Sequence, residues 1–271
     1  MAAAAPSRTP SHLERYLEPY VDEHLELYGF PQDVTGIVNE YVMERPEFFG
    51  REGWLKYLGQ DVGNPRLPDK CVSWWNAPDA IDVFERLPAP RKNYETHLEP
   101  IWRPDIVSEQ PYDLETLTNL VAHPLKGHPT TIEQGREAYR QHKNTPAGPG
   151  CWLAVRKGVV ARNLTYSSQV EYLDKVNTAT GAGYERENAL LDLVTAVVIP
   201  HVLRGERHLG NDTGMEGRWT YARSRDLVRY GENSWPSVVG GFAPSGVDVF
   251  ASYVCDDEDC GVVALRKFSG H

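Results

Sequence analysis

The chain predicts an α+β fold on three observations. A strand-like run, "CWLAVRKGVVA" (151–161), leads into two helix-like stretches, "TYSSQVEYLDKV" and "GYERENALLDLVTAVVIPHVL". Four short apolar pieces then return to the C-terminus: "RWTYARSR", "SVVGGFA", "GVDVFASYV" and "GVVALRKF". Glycine and proline separate those pieces, as turns separate strands.

Taken in order, residues 1–10 read as a tail. From Ser11, a possible N-cap, Leu13, Tyr16, Leu17, Tyr20, Val21 and Leu25 recur at three and four, the spacing of one helix face. Pro19 should kink or restart that helix. Val34, Ile37, Val38, Tyr41 and Val42 repeat the pattern before Pro46 stops it. Prolines then crowd the chain from Pro65 to Pro129, interleaved with Trp74, Trp75 and Trp102. Proline excludes long helices and central strands, while large indoles anchor packed surfaces. An ordered, loop-rich region with short helices is expected. "TTIEQGREAYRQHKN" predicts a helix, with Thr131 and Gln134 at capping-box spacing, and "TPAGPG" (145–150) a turn or linker. The expected division is a helical, proline-rich region over 1–147 and a second unit over 148–271.

In that second unit a helix should begin near Thr165, with Tyr166, Val170, Leu173 and Val176 on one side. The next helix carries Leu190, Leu191, Leu193, Val194, Val197 and Val198, and Pro200 should end or kink it. Gly240, Gly241 and Gly246 suit a tight bend before the last strands. Trp219 and Trp235 are expected as core or interface anchors.

Charge narrows the function. With 28 Lys+Arg against 38 Asp+Glu the net charge is -10, which disfavours nucleic acid and anionic membrane surfaces as partners. Arg218, Arg223, Arg225 and Arg229 cluster, but solvated strand and loop charges explain them. The four-alanine run near the start is no signal-peptide core, and no window approaches the roughly 18 apolar residues of a membrane span. A cytoplasmic location without membrane insertion is expected. Cys71, Cys151, Cys255 and Cys260 are too few for a disulfide scaffold.

"ARNLTYSSQ" (161–169), "RWTYARS" (218–224) and "VVGGFAPSGVDV…GVVALRKF" (238–268) resemble segments of bacterial C-type-lectin-fold variable proteins, the targets of diversity-generating retroelements. The order of strand, two helices and several strands is similar to a C-type lectin fold, in which N- and C-terminal strands pair. The resemblance implies a C-type-lectin-like domain over 148–271 with a constant ending at Gly261–Phe268. It also implies a rewritten, solvent-facing stretch at 250–260 that binds a ligand.

The ligand expected is a protein, bound without catalysis or a cofactor by Asp248, Phe250, Ser252, Tyr253, Val254, Asp256, Asp257 and Asp259. Tyr253 and Phe250 would add contact area at small entropy cost, and the carboxylates would select basic groups. Period-two alternation offers an opposing reading, with Phe250 and Val254 turned into the core. Asp248, Asp256, Asp257, Glu258 and Asp259 also carry the hard oxygens Ca²⁺ requires, but match no EF-hand spacing, so no metal is expected. The same fold is similar to formylglycine-generating enzymes, which makes copper at Cys255 and Cys260 the alternative function. Here "GVVALRKF" follows the pair at once, where those oxidases carry a longer stretch. A zinc site from Cys255, Cys260, His201 and His208 lacks close Cys spacing.

Overall fold

The computed structural model describes residues 48–134, 136–209, 220–252 and 258–269. The two helices expected over 11–46, and Arg218 and Trp219, lie outside the described residues. The α+β class holds, with helices and two main sheets in one chain.

A three-stranded antiparallel sheet joins β1 (His97–Arg103), β4 (Cys151–Arg156) and β9 (Leu265–Ser269), in the order β1-β4-β9, while β2 (Ile106–Val107) and β3 (Gln110–Pro111) form a separate small hairpin. β4 is central, and Cys151 through Val155 are all buried rather than alternating. Both faces of the sheet are covered. On one, Trp102, Trp152 and Phe268 sit opposite one another and pack under residues 48–75. Gly50 lies against the Trp152 ring, Trp74 against Phe268, and the Trp152 indole N–H donates to the Arg66 carbonyl at 3.0 Å. Proline at position 100 is tolerated because β1 is an edge strand with a bulge between Leu98 and Ile101. There Phe49 pairs with Ile101, donating its N–H to the Pro100 carbonyl at 3.1 Å.

The opposite face meets the long helix that the sequence predicts. α6 (Tyr166–Thr180) and α7 (Leu190–Arg204) follow a helical turn with a π-helix over Arg51–Gly53 and Trp54–Leu58 and the short helices α1 (Asp69–Trp75), α2 (Ala80–Phe84), α3 (Asn93–Thr96), α4 (Leu114–Ala122) and α5 (Glu137–His142). Thr165 caps α6 by accepting from the Ser168 N–H, as the sequence expects. Pro200 does not end α7, which runs on to a left-handed C-cap at Gly205. Residues 193–202 are buried throughout, and packing on all sides outweighs the hydrogen bond that proline cannot donate. Asp192 on α7 bridges the two outer strands: its carboxylate lies 2.7 Å from Arg103 Nε on β1 and 2.7 Å from Lys267 Nζ on β9.

The capping box expected at Thr131 does not form. Residues 131–133 are extended along the strand beginning at Gly246, with Glu133 N–H donating to Val247 O and Val247 N–H to Thr131 O, both at 3.0 Å. Helix starts only at Glu137, because Thr131 and Glu133 gain sheet hydrogen bonds instead, beside the β-branched Ile132.

A buried ionic cluster ties the short helices to the sheet. The Arg156 guanidinium contacts Asp79 at 3.0 Å and Asp82 at 3.2 Å, and Arg91 meets Asp82 at 2.8 Å. Beside it His97 is buried, its Nδ1 2.9 Å from Thr96 Oγ1 and its Nε2 3.2 Å from the Tyr184 hydroxyl. Burial, opposed by the Asp79 charge, holds the His97 imidazole well below its usual 6.5. Burial pushes the Asp79 carboxyl up, but the Thr96 hydrogen bond and the Arg156 charge outweigh it and leave the value lowered. Both groups bind protons more readily when unfolded, so their stabilisation is present at neutral pH and lost as pH falls. We expect stability to begin dropping near pH 6.5, the unfolded histidine value. His97→Gln should remove about one proton, ~1.4 kcal/mol per pH unit, from that acid slope in urea melts at stepped pH.

Candidate functional site

The last four strands form a second sheet, in the order β7-β6-β5-β8. They are β5 (Tyr221–Tyr230), β6 (Asn233–Ala243), β7 (Gly246–Ala251) and β8 (Cys260–Gly261). "GVVALRKF" is thus not one strand. It is divided between β8, a link at 262–264 and β9, which returns to the first sheet. Trp235, expected as an anchor, is 41 % exposed on the β5–β6 hairpin, with Leu227 and Tyr230 also exposed nearby.

Residues paired directly across strands share a face, so register sorts the side chains. Gly261, Ala222, Val239 and Val249 form one row, fully buried against the core. The adjacent rows point the other way: Cys260, Tyr221, Gly240 and Asp248, then Arg223, Val238 and Phe250. Asp248 and Phe250 therefore lie half-buried on the outer face, which Cys260, Val238 and Arg223 share as buried residues, and the reading that turned Phe250 into the core is overturned, since Phe250 is not among the core side chains. Val249 and Ala251 occupy the inward positions instead.

The glycine pair serves this face. A Cβ on Gly241, at φ 56, would stand 2.9 Å from the Tyr221 hydroxyl, and one on Gly240 would stand 2.9 Å from the same ring. Without those side chains Tyr221 lies across β6 and meets Phe250 edge to face, centroids 5.1 Å apart. Burial raises the Tyr221 hydroxyl pKa, helped by the charges of Asp248 and Asp259 and opposed by Arg136. Burial also raises Asp248, with Arg136 lowering it and Glu133 raising it. Glu133 comes from the segment that pairs along β7, and Arg136 follows it as the N-cap of α5.

Asp259 is half-buried just before β8, where its carbonyl accepts the Tyr221 N–H at 3.0 Å. Its Oδ1 is buried without a hydrogen-bond partner among the described residues. Ser252 is half-buried just past β7. Tyr253, Val254, Cys255, Asp256 and Asp257 lie outside the described residues. On the β8 side the face is fastened down: Gln169 donates to Cys260 O at 3.2 Å, Arg223 to Leu164 O at 3.2 Å and Arg162 to Thr220 Oγ1 at 3.1 Å. Arg223 of the basic cluster is thus buried structure, while Arg225 and Arg229 are exposed.

Tyr221, Glu133 and Arg136 were not anticipated as site residues. Tyr221 was legible from "TYARS", where it alternates with small Ala222; nothing local to 131–136 points to β7. Cys260 is fully buried and disulfide-bonded, and Cys71 and Cys151 are free and buried. Among the described residues no group of three or more His, Cys, Asp or Glu is placed to hold a metal ion. No described helix is long and apolar enough to cross a membrane. Comparison with protein-family models, curated proteins and solved structures gives no match.

Proposed function

We propose that the chain is a recognition protein of the C-type-lectin-like variable class. It engages a protein ligand through the outer face of the β7-β6-β5-β8 sheet and the connection after β7. The pairing of β4 with β9, enclosing two helices and a second sheet, supports the lectin-like reading. The observation that carries binding is the juxtaposition of Tyr221, Asp248 and Phe250 on one face of a sheet whose other face is buried. Aromatic rings supply contact area at low entropy cost, and Asp248 and Asp259 favour a basic partner. A cytoplasmic location is proposed with it: free Cys71 and Cys151 favour that location, and the disulfide at Cys260 opposes it.

The test is a display library randomised at Asp248, Phe250, Ser252, Tyr253, Val254, Asp256, Asp257 and Asp259, selected against lysozyme as a basic protein. Folded clones should emerge that bind saturably and lose binding when reverted. A library yielding only unfolded clones, or no enrichment, would contradict the reading.

A further inference from the structure

We propose that a groove beside β9, lined by Arg66, Lys70 and Arg266, binds a small polyanion carrying two or more phosphate or carboxylate groups. This rests on no part of the sheet-face reading. The groove encloses about 660 Å³ between the start of α1 and β9, within the size range of small-ligand pockets. It gathers Arg66, Lys70, Arg266 and Lys267 with a single acidic neighbour, Asp69, in a chain whose net charge is -10. Concentrating cations against the overall charge costs self-repulsion unless an anion offsets it.

The four cations are not equivalent. Lys267 is spent on Asp192 at 2.7 Å and Glu185 at 3.6 Å. Among the described residues no ion pair is formed by Arg66, Lys70 or Arg266. Arg266 is the telling member. Its guanidinium lies over the Phe268 ring at 4.8 Å and the Trp74 ring at 5.9 Å, half-buried. The rings and Gly183, whose Cβ would stand 3.6 Å from Arg266 Nη2, hold the guanidinium in place, and among the described residues it makes no ion pair that would compete with an oxyanion. Burial lowers its pKa. Arg66 and Lys70 are exposed, so they reach a ligand without rearranging the core. A second cavity, about 400 Å³ at the start of α7, contrasts with this: there Asp192 pairs with both Arg103 and Lys267.

The experiment is calorimetric titration of the full chain with inorganic pyrophosphate and, separately, with citrate at low chloride. Saturable binding of at least one is expected, weakened ~10-fold by Arg66→Gln and by Lys70→Gln and unchanged by Arg229→Gln. The tighter of the two probes names the headgroup, phosphate or carboxylate. Arg266→Gln should abolish binding, with its melting temperature measured alongside because it packs on core rings. The exposed Arg66 and Lys70 variants carry the test if that protein does not fold. No saturable binding of either probe, or equal affinity in these variants and the parent, overturns the proposal.

Discussion

Alanine at Asp192 is expected to destabilise the protein by ~3–5 kcal/mol, because it strands buried charge. Asp192 is the shared counter-ion of Arg103 and Lys267, and the Arg103 and Asp192 side chains are 4 % and 5 % exposed. The remaining Arg103 contacts do not neutralise it: its terminal nitrogens donate to the carbonyls of Pro104, Gly148 and Pro149 and to Cys151 Sγ. The cost therefore lies in the uncompensated guanidinium more than in the lost attraction. Two measurements separate these. Urea unfolding of Asp192→Ala gives the full penalty, and Arg103→Met with Asp192→Leu should recover most of it, since a buried pair contributes little net stability over apolar replacements. A penalty under about 1 kcal/mol for the single variant would mean that water reaches Arg103 and that the bridge between β1 and β9 is not sealed.

Trp152→Ala should cost a similar ~3–5 kcal/mol, by a different cause. The indole is fully buried on β4, the central strand of its sheet, edge-on to Trp102 at 5.8 Å and in contact with Gly50. Truncation opens a cavity that β1 and β9 cannot collapse into without breaking their register with β4, and it orphans the Arg66 carbonyl. Trp152→Phe keeps most of the volume and loses only the hydrogen bond, so it should retain more than half the stability lost by alanine. Equal losses in the two variants would assign the effect to the hydrogen bond and not to packing.

Local patterns made the C-terminal elements legible. The cap at Thr165 and the face of Val170, Leu173 and Val176 follow from short-range rules. The failures came where distant contacts decide. Pro200 is carried inside α7 by burial on every side, and Thr131–Glu133 is extended because Val247 offers it hydrogen bonds from more than a hundred residues away. "TPAGPG" is irregular chain, as its turn or linker reading expects, but its anchoring is not local: Arg103 holds the Gly148 and Pro149 carbonyls and Gly150 presses on Trp102. At the candidate site the same division applies. Asp248 and Phe250 were marked by the family resemblance while alternation read Phe250 inward, and Tyr221 joins them only through the pairing of β5, β6 and β7, which no spacing in the sequence records.

Two adjacent positions, given the same replacement, test the central claim that β7 turns one face to the core and offers the other for recognition. Phe250→Asn should cost about 1 kcal/mol, and Val249→Asn about 3 kcal/mol or more, because only the second buries an amide among apolar side chains. Chemical unfolding of the two proteins reads the difference directly. Equal penalties, or a larger one at Phe250, would contradict the account.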